Sequence, residues 1–332
     1  MRSSGKHPLI IPQNVWVLGI VSLLMDLSSE MILSILPIFL VTGLGVSVLT
    51  LGLIEGFAEG AASVIKAFSG MLSDYLKKRK ILIVIGYGLS TLTKPFFALA
   101  STATWIFAAR FVDRLGKGIR GAPRDSLIAD STSTKIRGTA YSLRQSLDTL
   151  GALLGPIIAI IILYLTTNNF RLVLWFAVIP AVLCIVVLIF RVKESTLKKN
   201  ISRKKSYFLF KNFLKITPMF WLFFLTVFIL NLGHFSEAFL LLRGQEIGLE
   251  ISFIPIVFVV MNAAYAIVAI PFGHLADKVG FFILIVYGFL ILVLSDIILA
   301  LTNSVGWMFV GIIFWGVHLY DYKISYLHRR IK

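Results

Sequence analysis

Residues 70–80 read GMLSDYLKKRK and residues 273–280 read GHLADKVG, so that Gly70 and Asp74 recur as Gly273 and Asp277 at one offset of 203 residues. Each copy ends one long apolar stretch and precedes another, which places both at a boundary between membrane and water. A unit of that length is far larger than a solenoid repeat of about 20–50 residues. It has room for six spanning helices, since about 20 mostly apolar residues cross a bilayer.

On either side of these copies the chain divides into ten apolar stretches, at 14–41, 48–73, 80–100, 104–129, 138–164, 172–191, 216–242, 252–274, 280–301 and 305–320. The expected fold is an all-α polytopic membrane protein with a 6+6 parallel repeat whose halves are related by an axis along the membrane normal. Its units are a tail over 1–13, a six-helix bundle over 14–191, a basic loop over 192–215, four helices over 216–320 and a polar tail over 321–332. Partners of the helices at 138–191 would fall near 341–394, beyond Lys332. The repeat therefore predicts an incomplete second half, from truncation or a shifted frame, with a ten-helix protein as the alternative.

Composition agrees. Of 332 residues, 58% are hydrophobic and 14% charged, against about 45–50% and about 25% in soluble domains, and the mean hydropathy is +0.91. The formal charge of +16 is topology rather than a nucleic-acid face, because no polar stretch is long enough to fold into a soluble binding module. Cys184 stands alone, which excludes an intrachain disulfide framework and a cysteine-rich metal site. The first helix is expected to be retained rather than cleaved as a leader, since Asp26 and Glu30 follow its apolar run and no small-residue cleavage site does.

Basic residues collect in alternate connections: Arg2 and Lys6, then Lys77 to Lys80, then Lys135 and Arg137, then nine between Arg191 and Lys215. The intervening connections are nearly bare. Lys and Arg beside short loops stay inside, so the amino terminus is expected on the cytoplasmic side of a bacterial inner membrane.

These residues resemble the major facilitator superfamily up to about Val317. The family's loop signature, roughly G-x-L-a-D-R-x-G-R-R, is met by Gly70, Leu72, Asp74, Lys78 and Arg79, with departures at Tyr75 and Lys77. The second copy keeps Gly273, Leu275, Asp277, Lys278 and Gly280. A helix-four signature, R-F-L-Q-G-L-G-x-G, is echoed by RFVDRLGKG, where Arg110, Gly116 and Gly118 match and Asp113 and Arg114 depart. A helix-five signature that goes with proton-exchanging exporters is met by Gly151, Gly155 and Pro156 but not by Ala159 and Ile160. The resemblance implies an alternating-access carrier of a small solute such as a drug, siderophore or metabolite, with efflux favoured. It also implies a central cavity lined by helices one and four, with helix five beside them and helix two flanking the gate. The matching arginine, Arg110, takes part in coupling in the family.

Charge at membrane depth costs at least about 2.5–3.5 kcal/mol on insertion scales and faces a polar interior. Spacings of three, four, seven or eleven put such residues on one helical face. Asp26 with Glu30, Glu55 with Glu59 and Lys66, Arg110 with Asp113, Arg114 and Lys117, and Arg144 with Asp148 form such stripes, and Gln145 lies beside the last. For Asp26 and Glu30 the readings are proton or substrate-cation binding, since desolvation favours the protonated acid, or a static pair that locks packing. Arg110 with Asp113 divides the same way. Glu55 and Glu59 lie beside Gly52, Gly56 and Gly60, spacing that permits close helix contact, and bind substrate or pair with Lys66 or an adjacent helix. Asp74 and Asp277 are expected to clamp the inner gate. In the second half Asn231, His234, Glu237, Asn262 and Asp296 are the polar candidates, with His234 and Glu237 three apart as a proton relay or a plain hydrogen bond. Helices three and six, with only Lys94 at depth, are expected to face lipid.

No Walker loop, H-E-x-x-H or G-x-S-x-G occurs, so ATP-driven transport and intramembrane hydrolysis are disfavoured and no enzyme is expected. The expected protein needs no cofactor or metal, draws on a proton gradient, works as a monomer in the bilayer and binds a small solute. A truncated chain that transports nothing is the competing expectation.

Overall fold

The computed structural model describes residues 11–76, 78–194, 221, 235–279 and 281–331. Helix α1 spans Gln13–Leu33 and then breaks, because Pro37 has no N–H to give, into a turn at Leu36–Ile38 and a π-helical turn at Phe39–Gly43. There follow α2 (Val48–Leu76), α3 (Arg79–Leu99), α4 (Ala103–Ser131) and α5 (Arg137–Leu165). Helix α6 has two segments, Phe170–Phe176 and Val178–Arg191, interrupted at Ala177 just before Pro180. The Ala177 carbonyl at this break accepts a 2.6 Å hydrogen bond from Ser28 on α1. Then come α7 (Ala238–Glu246), α8 (Ile256–Val279), α9 (Phe281–Leu301) and α10 (Val305–Ile331). Most of the expected seventh stretch lies outside the described residues. The tenth helix runs on to Ile331, past the expected end at 320.

Successive helices reverse direction, which gives the bundle a basic end, carrying Lys78, Arg79 and Lys80, and an opposite far end. Among the described residues six helices are long and apolar enough to cross a membrane, and α4 is not one of them. It has the length but carries Arg110, Asp113, Arg114, Lys117, Arg120, Arg124, Asp125 and Asp130. It is sheathed by α2 and α3, its main packing partners. Those neighbours, not its own composition, make it a membrane helix.

Glycines set how closely the helices approach. A Cβ on Gly151 of α5 would lie 2.5 Å from the Leu23 carbonyl of α1, and one on Gly155 would lie 2.8 Å from that of Leu27. The helix-five signature is thus the seat of α1. On α4, a Cβ at Gly116 would meet the Gly86 carbonyl of α3 at 2.5 Å, and one at Gly118 the Ala62 carbonyl of α2 at 2.7 Å. Of the contacts expected at Gly52, Gly56 and Gly60, the structure forms the first alone, where a Cβ on Gly52 would lie 3.3 Å from the Phe239 ring of α7. Nothing lies within 4 Å of a Cβ at Gly56 or Gly60, because α2 turns that face to open space and meets α4 through Ala62 and Ile65.

The repeat has a backbone signature as well. Gly45, between α1 and α2, has φ +66°, and Gly248, between α7 and α8, has φ +97°. They stand 203 residues apart, at corresponding turns where a side chain would strain the left-handed backbone.

Two apolar clusters close the first half. One around Leu36, Phe39, Leu51, Phe97 and Leu163 lies at the far end, and one around Val15, Leu18, Ile83, Leu127 and Leu188 lies at the basic end. The buried charges lie between them. A third cluster joins α7, α8, α9 and α10 and takes in Ile38 from the first half. Ile85, Leu92 and Phe96 of α3 and Val182, Leu183, Val186 and Phe190 of α6 are exposed, in accord with lipid-facing surfaces. Helix α3 is not lipid-facing all round, since Lys94 points inward.

Gly151→Ala is expected to destabilise the protein by about 1–3 kcal/mol through overpacking. Gly60→Ala should leave it unchanged or raise stability by up to about 1 kcal/mol through helix propensity. Thermal unfolding of the two variants in detergent checks both.

Candidate transport cavity

Between the halves lies a cavity of about 690 Å³, within the about 300–1,000 Å³ usual for small-molecule sites. It is lined by α1, α2, α4, α5, α8, the start of α7 and Leu319 of α10. Its charged lining comprises Asp26, Glu30, Glu55, Glu59, Asp148 and Glu237 against Lys66, Arg110, Arg114, Lys117, Arg120, Arg124 and Arg144. The structure thus brings together four of the charged stripes that the spacing marks out.

A ladder of ion pairs joins α2 to α4. Arg110 donates to Glu55 through Nε at 2.9 Å and Nη2 at 2.6 Å, and Arg114 lies 3.1 Å from Glu59. Both rungs have partners four residues apart on each helix, so the 3.6-residue period of one helix matches that of the other. Arg110 is 3% exposed, and a charge so buried needs its two-pronged partner. Glu55 and Glu59 thus pair with the adjacent helix. Glu59 leaves 57% of its side chain open.

Asp113 is placed differently from the rest of its stripe. It does not line the cavity but turns to α3, where Lys94 Nζ lies 3.2 Å from its carboxylate and also donates to Ser29 at 3.1 Å. Lys94 is 1% exposed. This pair welds α3 to α4, and the other Asp113 oxygen lies 3.9 Å from Arg110. Arg144 pairs with Asp148 one turn along α5 and donates to Gln145, whose amide reaches the Tyr265 hydroxyl of α8 at 3.3 Å. Asn262 donates to the Ala152 carbonyl at 3.3 Å, and Ser252 to Asn168 at 2.8 Å. These bonds between the halves run from the far end to mid-height, and the cavity extends from Leu36 and Glu55 down to Lys66, Gly121 and Arg124.

Two cavity cations, Arg120 and Arg124, escaped the reading of the sequence although they continue the spacing of Lys117 by three and seven. Arg120 donates to Ser90 and lies 4.5 Å over the Tyr87 ring. Arg124 donates to Ser22 at 2.9 Å and Tyr87 at 3.2 Å. Tyr87 itself gave no signal, being one aromatic in an apolar stretch.

At the basic end Arg79 is a hub. Its guanidinium donates to Asp130 at 2.6 Å, Ser73 at 3.0 Å and Asp74 at 3.2 Å. Glu194 accepts the Arg79 and Lys80 backbone N–H groups at 3.1 and 2.9 Å, which neutralises the free donors that open α3. Lys78 is the residue preceding that helix. Asn231 and His234 lie outside the described residues, as do the side chains at Gly273 and Asp277. Asp26, Glu30 and Glu237 line the cavity wall itself.

The sequence profile of the Major Facilitator Superfamily matches residues 18–321. The chain belongs to the major facilitator superfamily. It is 34% identical over 290 residues to the MFS-type transporter MJ1317 of Methanocaldococcus jannaschii, covering 84% of this chain and 70% of that one. A 28% identity over 174 residues relates it to the multidrug resistance protein MdtH of Photorhabdus laumondii, covering 52% and 40%. In fold it is similar to the nucleoside transporter NupG, with a TM-score of 0.72 at 12% identity over 94% of this chain and 80% of that one. It is also similar to an inward-facing, occupied bacterial homologue of the lysosomal transporter Spinster, with a TM-score of 0.70 at 17% identity over 93% and 71%. Membership of this superfamily makes the chain a multi-pass membrane protein of a transporter family, not an enzyme.

Arg110→Leu alone should destabilise the protein by about 3–5 kcal/mol, because it strands Glu55 in the interior. Glu55→Leu with Arg110→Leu should recover most of that loss. Denaturant unfolding of the two single variants and the double variant measures the coupling.

Proposed function

We propose that the chain is a secondary transporter that couples movement of a small solute to protons, in the direction of efflux, by rocking its two halves about the cavity. The solute is of the drug, siderophore or metabolite kind. The basic end lies in the cytoplasm, beneath a cytoplasmic membrane, so the cavity is open inward; the protein works as a monomer and needs no bound cofactor. The observation that carries this reading is the pattern of pairing. Arg110, Arg114, Arg124 and Arg144 and the carboxylates of Glu55, Glu59 and Asp148 hold ion pairs within the protein and Arg120 bonds to Ser90, while Asp26 and Glu30 line the same wall without an ion pair among the described residues.

Carboxylates on a wall that meets water in one state and a closed interior in the other take up and release protons as the state changes. The ion-pair ladder keeps α2 and α4 rigid, so the movement is that of one half against the other. The far end, held by Ser252 with Asn168 and by Ile38 among Leu240 and Leu241, is the seam that must part. Efflux draws support from the relatives named multidrug resistance protein and from Gly151, Gly155 and Pro156.

The test is reconstitution in vesicles loaded with a pH-sensitive dye and exposed to panels of amines, organic acids, nucleosides, siderophores and cationic dyes. Addition of a carried solute should move the interior pH, and Asp26→Asn should abolish that response while the protein still inserts. Uptake without any pH change would overturn proton coupling. Failure to move any member of the panels would overturn transport.

A further inference from the structure

When the paired groups on the cavity wall are set aside, and with them Lys66, which holds a contact of its own, four charged side chains remain: Asp26, Glu30, Lys117 and Glu237. Each lines the cavity with no ion pair or side-chain hydrogen bond among the described residues. Lys117 is exposed to the cavity although it sits mid-helix on α4. Glu30 belongs to the first half and Glu237 to the second, and both line the same cavity wall.

We propose that the cavity is built for a small amphoteric solute whose protonated amine lies between Glu30 and Glu237 and whose acid group meets Lys117. This deepens the transport reading above and rests on it, with Asp26 left to carry the proton. Two carboxylates facing one space repel when it is empty. A protonated amine between them replaces the repulsion with charge-assisted hydrogen bonds to both halves, and so ties together the two bodies that must move.

Other solute classes fit less well. A neutral solute leaves all four charges unanswered. An anion satisfies Lys117 but meets three carboxylates, and a simple amine leaves Lys117 unpaired. A site built to bond a polar group rejects analogues that lack it. Leu33, Phe235, Phe258 and Met261 offer apolar wall for the body of the molecule.

The test is thermal unfolding of the purified full chain in detergent with two matched trios. One is phenylalanine, phenethylamine and 3-phenylpropionate; the other is 5-aminovalerate, pentylamine and valerate. Ligand that binds the folded state raises Tm in proportion to its affinity. In at least one trio the amphoteric member should bind about tenfold tighter than either single-charge analogue, about 1.4 kcal/mol. Glu237→Gln should weaken the amphoteric and amine members and spare the acid, whereas Lys117→Gln should weaken the amphoteric and acid members and spare the amine. No preference for the amphoteric member in either trio overturns the inference, as does unchanged amphoteric affinity in Glu237→Gln. The measurement needs no gradient, so it stands apart from the vesicle assay. A chain that moves only neutral solutes would keep the transport reading and lose this one.

Discussion

Charge placed at the depth of a bilayer must be neutralised or wetted, and the architecture follows from how α4 meets that demand. Its cations and acids would forbid membrane insertion as an isolated helix. It survives because α2 brings Glu55 and Glu59 to Arg110 and Arg114, α3 brings Lys94 to Asp113, and Lys117 opens on the cavity. Gly116 and Gly118 let the backbones come close enough for these short side-chain bridges. The apolar clusters at either end of the first half flank the charged layer between them.

Pairing also divides the charges by role. Lys94 with Asp113 is buried and is a rivet. The Arg110–Glu55 rung is nearly as buried, but the next rung leaves Glu59 partly open to the cavity, so the ladder grades from scaffold to wall. Arg79 performs the corresponding structural work at the basic end, where it binds the end of α4 to the end of α2, and Glu194 holds the chain leaving α6 against the start of α3. Against this rigid background Asp26, Glu30, Lys117 and Glu237 stand on the cavity wall without an ion pair among the described residues. Among the described residues the hydrogen bonds between the halves, from Gln145 to Tyr265, from Asn262 to Ala152 and from Ser252 to Asn168, are uncharged.

Spans and stripes were legible in the sequence because both are periodic: apolar runs of membrane length, and charges at three- and four-residue spacing. The repeat was legible from two residues in each copy and is echoed by Gly45 and Gly248 in the backbone. What spacing alone left undecided was which partner each charge would take. Asp113 shares its stripe with Arg110 and Arg114 yet faces α3, because a helical stripe is wide enough to serve two neighbours. Gly56 and Gly60 carry the small-residue pattern and touch nothing, since the pattern permits contact without supplying a partner.

The sequence by itself determined a helical, membrane-spanning, twice-built chain with its charge concentrated in the first half, since hydropathy and helical period are properties of neighbouring residues. Only the tertiary structure decided which charges are spent on holding helices together and which remain on the cavity wall. That choice depends on distances of about 3 Å between side chains far apart in the chain, such as Ser22 and Arg124, 102 residues apart, and no local pattern encodes them.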